Sequence, residues 1–86
     1  MEKSNVLMYP IATEKAVGMI EKNNAITYIV DFRATKKEIA EEFSSKFGVK
    51  VKKVNVHITT QNTKKAFIYI NKESKASDIA LKLKLV

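Results

Sequence analysis

His57 is the only histidine in the sequence, and there is no cysteine. A nucleophile–base pair needs a group that titrates near neutral pH, and a transition-metal site needs several His or Cys ligands. One imidazole supplies neither. Asn55, His57 and Thr59 alternate with Val54, Val56 and Ile58, so His57 falls on the polar face of a strand. It reads as a surface group, free to face an external partner. Glu38, Glu41 and Glu42 share one helix and read as its solvent face. Gly18 and Gly48 are the only glycines and Arg33 the only arginine, so there is neither a glycine-rich phosphate loop nor an arginine cradle. The chain is expected not to be an enzyme, to need no cofactor or metal, and to take no small-molecule substrate.

Cations are the richer chemistry. Sixteen Lys and Arg face nine Asp and Glu, for a net charge of +7, and all but Arg33 are lysine. Such an excess sustains a positive field that favours a polyanion. Lysine is a flexible point charge, whereas arginine reads a base edge with a rigid fork. The bias therefore points to backbone and shape recognition of nucleic acid. Lys50, Lys52 and Lys53 lie at the start of one strand, and Lys64 and Lys65 follow the turn at its far end. Lys36 and Lys37 occupy the first turn of a helix, where they oppose the dipole and hint at an external anion. Asn55, Thr59, Thr60, Gln61, Asn62 and Thr63 form an uncharged, donor-rich stretch suited to sugar hydroxyls and phosphate oxygens.

These residues need a frame, and 86 residues allow one compact domain, here 1–86, with residues 1–5 expected to be disordered. Val6 to Tyr9 reads as a strand stopping at Pro10. Thr13 caps a helix with Glu14 in its first turn; Ala16, Val17 and Ile20 form its apolar face, and Asn23-Asn24 ends it. Ala25 to Phe32 is a second strand, with Ile26, Tyr28, Val30 and Phe32 on one side and Thr27 and Asp31 on the other. Thr35-Lys36-Lys37-Glu38 matches a capping box; Ile39, Phe43 and Phe47 follow, and Gly48 is a left-handed stop. Val49 to Thr60 is a third strand whose alternation slips, predicting a bulge near Lys52-Lys53. After a turn at Gln61-Asn62-Thr63, Ala66 to Ile70 is a fourth strand. Ser74 to Asp78 opens a last helix with Ala76, Ile79, Ala80 and Leu83 on one face. The expectation is an α+β domain: a mostly antiparallel four-stranded sheet with three helices, order β-α-β-α-β-β-α, helices on both faces. No apolar run approaches the roughly 18 residues of a membrane span, so a soluble, intracellular protein without membrane insertion is expected.

Lys64-Lys65-Ala66-Phe67-Ile68-Tyr69-Ile70 bears testing against the RNA-recognition motif, a single-strand RNA-binding module whose sheet rings stack on bases. Ala66, Phe67 and Ile68 fit, but Lys65 and Ile70 stand where aromatics are wanted, and the element order differs. Phe67 and Tyr69 are expected to pack against a helix on a sheet covered on both sides.

Several motifs occur in series. Tyr9-Pro10-Ile11-Ala12-Thr13-Glu14-Lys15-Ala16 resembles a Pro-x-x-[Ser/Thr]-Glu-Lys signature. Ala34-Thr35-Lys36-Lys37-Glu38-Ile39 resembles an Ala-[Asn/Thr]-Lys-x-Glu-Ile helix start. Phe47-Gly48-Val49-Lys50-Val51 with Val54-Asn55, and Lys64-Lys65-Ala66-Phe67, complete the set. Together, from Tyr9 to Leu83, they resemble ribosomal protein L twenty-three, the universal family beside the polypeptide exit tunnel of the large subunit. The resemblance implies a ribosomal, cytoplasmic protein that binds large-subunit (23S-type) rRNA. It also implies contact with ribosomal protein L twenty-nine and a landing place for nascent-chain factors. By motif, Lys36, Asn55, Lys64 and Lys65 match RNA-facing positions, and Lys15, Lys37, Lys50, Lys52, Lys53, His57, Thr59 and Asn62 extend that set. Glu14 matches the exposed acid to which such factors dock, with Glu21 on the same helix. Bacterial members carry a long basic hairpin between the last two strands; here Gln61-Asn62-Thr63 closes it tightly. That short form is archaeal in type, which makes signal recognition particle, rather than trigger factor, the expected docking partner.

Overall fold

The computed structural model describes residues 6–84; the expectation of disorder at residues 1–5 lies outside the described residues. Each of the first two helices is set by local chemistry. In α1 (Glu14–Asn23), Thr13 Oγ1 accepts the Ala16 amide at 3.2 Å, and Asn24 closes the last turn at φ 54°. In α2 (Lys36–Phe47), the capping box forms in both directions: Glu38 N donates to Thr35 Oγ1 at 3.1 Å, and Thr35 N donates to Glu38 Oε1 at 3.0 Å. Gly48 then takes φ +66°, a conformation that a β-carbon disfavours.

Strands β1 (Leu7–Pro10), β2 (Ala25–Val30), β3 (Val51–Ile58) and β4 (Lys64–Ile70) form one antiparallel sheet in the order β1-β2-β4-β3. The chain order is β-α-β-α-β-β-α, as the hydrophobic periodicity predicts. The expected bulge is present: register slips between Val51 and Lys53. It puts Val54 and Val56 in phase with Ile68 and Ala66 on one face, and sends Lys53, Asn55 and His57 to the other.

That first face is the core. Ile26, Tyr28 and Val30 of β2 and Ala66, Ile68 and Ile70 of β4 pack with Ile39 and Phe43 of α2, and the Tyr28 and Phe43 rings meet edge to face at 6.2 Å. The last helix, α3 (Ala76–Lys82), adds Ala76, Ile79 and Ala80 to the same cluster and packs beside α1. It starts two residues after the expected Ser74, and its cap residue Lys75 provides no side-chain hydrogen bond. Asn24 does that work instead. Its Oδ1 accepts the Ala76 amide at 2.7 Å, and its Nδ2 donates to the carbonyls of Ile70 and Ser74, both at 3.0 Å.

Two local expectations are corrected. β2 ends at Val30, and Phe32 is exposed. The chain turns there because Asp31 accepts the Arg33 amide on its side chain (2.8 Å) and the Ala34 amide on its carbonyl (3.0 Å). Phe67 and Tyr69 are half-buried rather than sandwiched. α1 lies over β2, where every residue is buried, and leaves the β4–β3 half of that face open.

Candidate nucleic-acid interface

The open half-face has a regular grammar set by the register. From β2 across β4 to β3, one row reads Ala25, Tyr69, Lys53; the next Thr27, Phe67, Asn55; the next Ile29, Lys65, His57. The β3 members of all three rows are exposed and the β4 members half-buried. Lys53 Nζ sits over the Tyr69 ring, 4.9 Å from its centroid, a cation–π placement. Lys15 projects from α1 onto the same side, lining with Thr13, Lys65, His57, Phe67 and Thr27 a cavity of about 280 Å3. Among the described residues, no carboxylate lines that cavity. The arrangement is a cationic, donor-rich surface with aromatic faces between the charges, which suits phosphates, sugar hydroxyls and bases.

Strand parity divides the neighbouring lysines of β4. Lys65 faces the open side, opposite His57. Lys64 faces the core side, where its Nζ donates to the Ala34 carbonyl at 2.6 Å and, more weakly, to that of Phe32 at 3.4 Å. Its charge holds the β2–α2 loop down on the sheet.

The other sequence-selected residues fall into three further places. Lys36 and Lys37 are exposed in the first turn of α2, at the same end of the molecule as the β3–β4 turn, as the Lys64–Ala34 contact requires. In that turn Thr59 Oγ1 and Thr63 Oγ1 lie 2.7 Å apart, and Asn62 has φ 62°, so both Thr59 and Asn62 serve the turn's own geometry. Lys50 and Lys52 are exposed at the opposite end, with Lys50 beside Glu41, Ser44 and Asn71. On α1, Glu14 and Glu21 are exposed on one stripe with Gly18 between them, and the space that a β-carbon on Gly18 would enter is open for 4 Å around.

The structure thus brings together Lys15, Lys53, Asn55, His57 and Lys65. It adds Phe67 and Thr13, which sequence reasoning placed in the core and at a cap, and Thr27, which it placed on the face opposite Ile26 and Tyr28 without a role in the site. The missed signal lies in β4 itself: Lys65, Phe67 and Tyr69 share one phase, and a lysine in phase with rings marks a face that is not closed.

Among the described residues, no group of three or more His, Cys, Asp or Glu is placed to hold a metal ion, and no helix is long and apolar enough to cross a membrane.

Comparison with known proteins agrees with the motif series. The family profile described as Ribosomal protein L23 matches residues 5–84. The chain is 51% identical over 73 residues to the large ribosomal subunit protein uL23 of Pyrobaculum aerophilum, covering 85% of this chain and 90% of that protein. It is 49% identical over 78 residues to uL23c of Spinacia oleracea, covering 91% of this chain but 39% of that protein. With uL23 of Dictyostelium discoideum it shares 40% identity over 86 residues, all of this chain and 51% of that protein. It therefore spans well under two thirds of the spinach and Dictyostelium relatives and nearly all of the Pyrobaculum one. A family match over almost the whole chain, with two of these relatives near half identical, leaves one conclusion: the chain belongs to the ribosomal protein L23 family.

Proposed function

We propose that this chain is a structural, non-catalytic constituent of the large ribosomal subunit. In this reading it is one RNA-binding domain that binds large-subunit rRNA near the polypeptide exit tunnel through the open half of its sheet. The observation that carries the reading is the face formed by Lys53, Asn55 and His57 beside Tyr69, Phe67 and Lys65, with Lys15 at its rim and, among the described residues, no acid lining the cavity within it. Lys36 and Lys37, exposed beside the β3–β4 turn, extend the cationic surface round one end, and Lys50 and Lys52 extend it round the other. The tight turn at residues 59–63 supports the short, archaeal-type form.

The acidic stripe of Glu14 and Glu21 is a separate surface on the outer side of α1. It supports a docking corner for factors that meet the nascent chain, signal recognition particle foremost, with ribosomal protein L twenty-nine as the neighbour on the subunit.

The RNA reading is tested by binding to a large-subunit rRNA transcript over a salt series. Log affinity should fall steeply with log salt, since each phosphate neutralised releases counterions. Lys15→Ala, Lys53→Ala and Lys65→Ala combined should flatten the slope by about three. A flat salt dependence in the unmodified protein refutes the reading. For the docking corner, Glu14→Lys should abolish retention of signal recognition particle on subunits carrying the variant while leaving rRNA affinity equal or higher. Retention unchanged by the reversal removes that corner.

The rival, a recognition-motif module stacking bases along an open sheet, fits less well. α1 covers β2, and only Phe67 and Tyr69 of β4 offer rings on the open half.

A further inference from the structure

Thr27 is the one residue of β2 whose chemistry does not match its place. It is 2% exposed, and its hydroxyl has no hydrogen-bond partner among the described residues. A buried hydroxyl left unmatched destabilises the fold, whereas a valine of the same shape would not. Thr27 lies opposite Phe67 in register and forms part of the lining of the cavity between α1 and the sheet. Ala16, Met19, Ile11 and Phe67 give that cavity apolar walls; Lys15, Lys65 and His57 ring it with donors. At about 280 Å3 it is slightly smaller than the roughly 300–1,000 Å3 pockets that take drug-sized molecules.

A polar floor, an aromatic wall and a cationic rim are the three demands of one unstacked nucleotide: an edge to hydrogen-bond, a face to stack, and flanking phosphates to neutralise. We propose that this cavity receives a single extruded base of the large-subunit rRNA. Its edge meets Thr27 Oγ1, which is closed to water in the free protein and is reached as the entering base displaces the side chains above it; its face lies against Phe67, and the adjoining phosphates rest on Lys15 and Lys65. The proposal rests on the rRNA-binding reading and adds to it a base contact that the lysine-rich composition does not suggest. The hydroxyl both donates and accepts, so it can meet either kind of base edge. Among the described residues the lining carries lysines and no carboxylate, which favours a nucleotide over a basic peptide side chain.

The test measures affinity for a large-subunit rRNA transcript across a salt series with Thr27→Val, Phe67→Leu and, as a control on α3, Lys82→Ala. Thr27→Val should melt at the same temperature or higher, because it removes an unmatched hydroxyl. It should nevertheless bind RNA about 5-fold more weakly, the worth of one hydrogen bond. Phe67→Leu should lose about 5- to 150-fold through lost stacking. Neither should change the slope of log affinity against log salt, since no phosphate contact is removed, and Lys82→Ala should bind as the unmodified protein does. Ultraviolet crosslinking of the unmodified protein to the same transcript gives a second readout that does not depend on a variant folding. The expected adducts fall on residues 25–30 or 64–70.

If the unmodified protein shows no salt-dependent binding, the rRNA reading fails and takes the cavity with it. If it binds with a steep slope while Thr27→Val and Phe67→Leu bind equally well, the rRNA reading stands and the base site is overturned. Crosslinks confined to other segments overturn it as well.

Discussion

The adjacent lysines of β4 should behave as unrelated residues. Lys64 makes a 2.6 Å charged hydrogen bond to the Ala34 carbonyl and a weaker 3.4 Å contact to that of Phe32. Hydrogen bonds to charged groups contribute about 1.5–3 kcal/mol. This one is only partly buried, so the lower end applies, and Lys64→Ala should destabilise the domain by about 1.5 kcal/mol. For a domain of this size that is roughly 6–12 °C in Tm. Lys65 sits on the open face, away from those carbonyls, so Lys65→Ala should move stability by no more than about 0.5 kcal/mol, the usual range for a surface change. The order reverses in RNA binding. Lys65→Ala should reduce the salt slope by about one, and Lys64→Ala should leave it nearly unchanged. Thermal melts followed by circular dichroism, paired with filter binding to a large-subunit rRNA transcript at several salt concentrations, resolve both readouts. Equal loss of stability in the two variants, or a larger slope change for Lys64→Ala, would refute the assignment of opposite faces to opposite tasks.

Two further outcomes follow from the packing. Asn24→Ala removes three hydrogen bonds that tie the end of α1 to β4, the β4–α3 connection and the start of α3, and it puts alanine in the left-handed region. The expected cost is about 3–4 kcal/mol in urea unfolding; Asn24→Gly should cost less, because it relieves the backbone term alone, and an Asn24→Gly variant as stable as the unmodified protein would count against the clamp. Tyr28 has its phenol pushed above the usual value of 10.0 by burial. A group whose folded pKa is raised contributes stability that is full below its unfolded pKa and is lost as pH rises through and beyond it. Tm should therefore fall from about pH 10 upward in the unmodified protein and fall less in Tyr28→Phe, as melts in alkaline buffer would check.

Most of the frame was legible because its signals are local. The capping box at Thr35 and Glu38 joins residues three apart, Gly48 answers a single dihedral, and the slip in hydrophobic phase at Lys52-Lys53 marks the bulge directly. What the sequence hid is tertiary. Asn24 looks like an ordinary helix stop, yet its side chain works on groups 46 to 52 residues away. Phe67 and Tyr69 read as core because apolar alternation does not say which strand α1 will cover; that depends on the strand order β1-β2-β4-β3. Lys64 and Lys65 read as one basic pair when the strand is taken to begin at Ala66. Starting it two residues earlier puts them on opposite faces. The cavity at Thr27 needed both the strand order and the helix placement before it existed at all.

The strand order also dictates when this domain can fold. β4 is the last strand in the chain, yet it sits between β2 and β3 and supplies the pairing edge to both. A growing chain that has made β1, α1, β2, α2 and β3 holds two strand edges with nothing between them, and β2 is composed to be buried on every residue. Such non-local pairing is slow and leaves unpaired edges open to aggregation. The sheet closes only once residue 70 is free to insert, and the Asn24 clamp on Ala76 must follow it. A newly made copy therefore leaves the β2 edge unpaired throughout that interval, and its open, lysine-bearing sheet face is completed in one late step rather than by degrees.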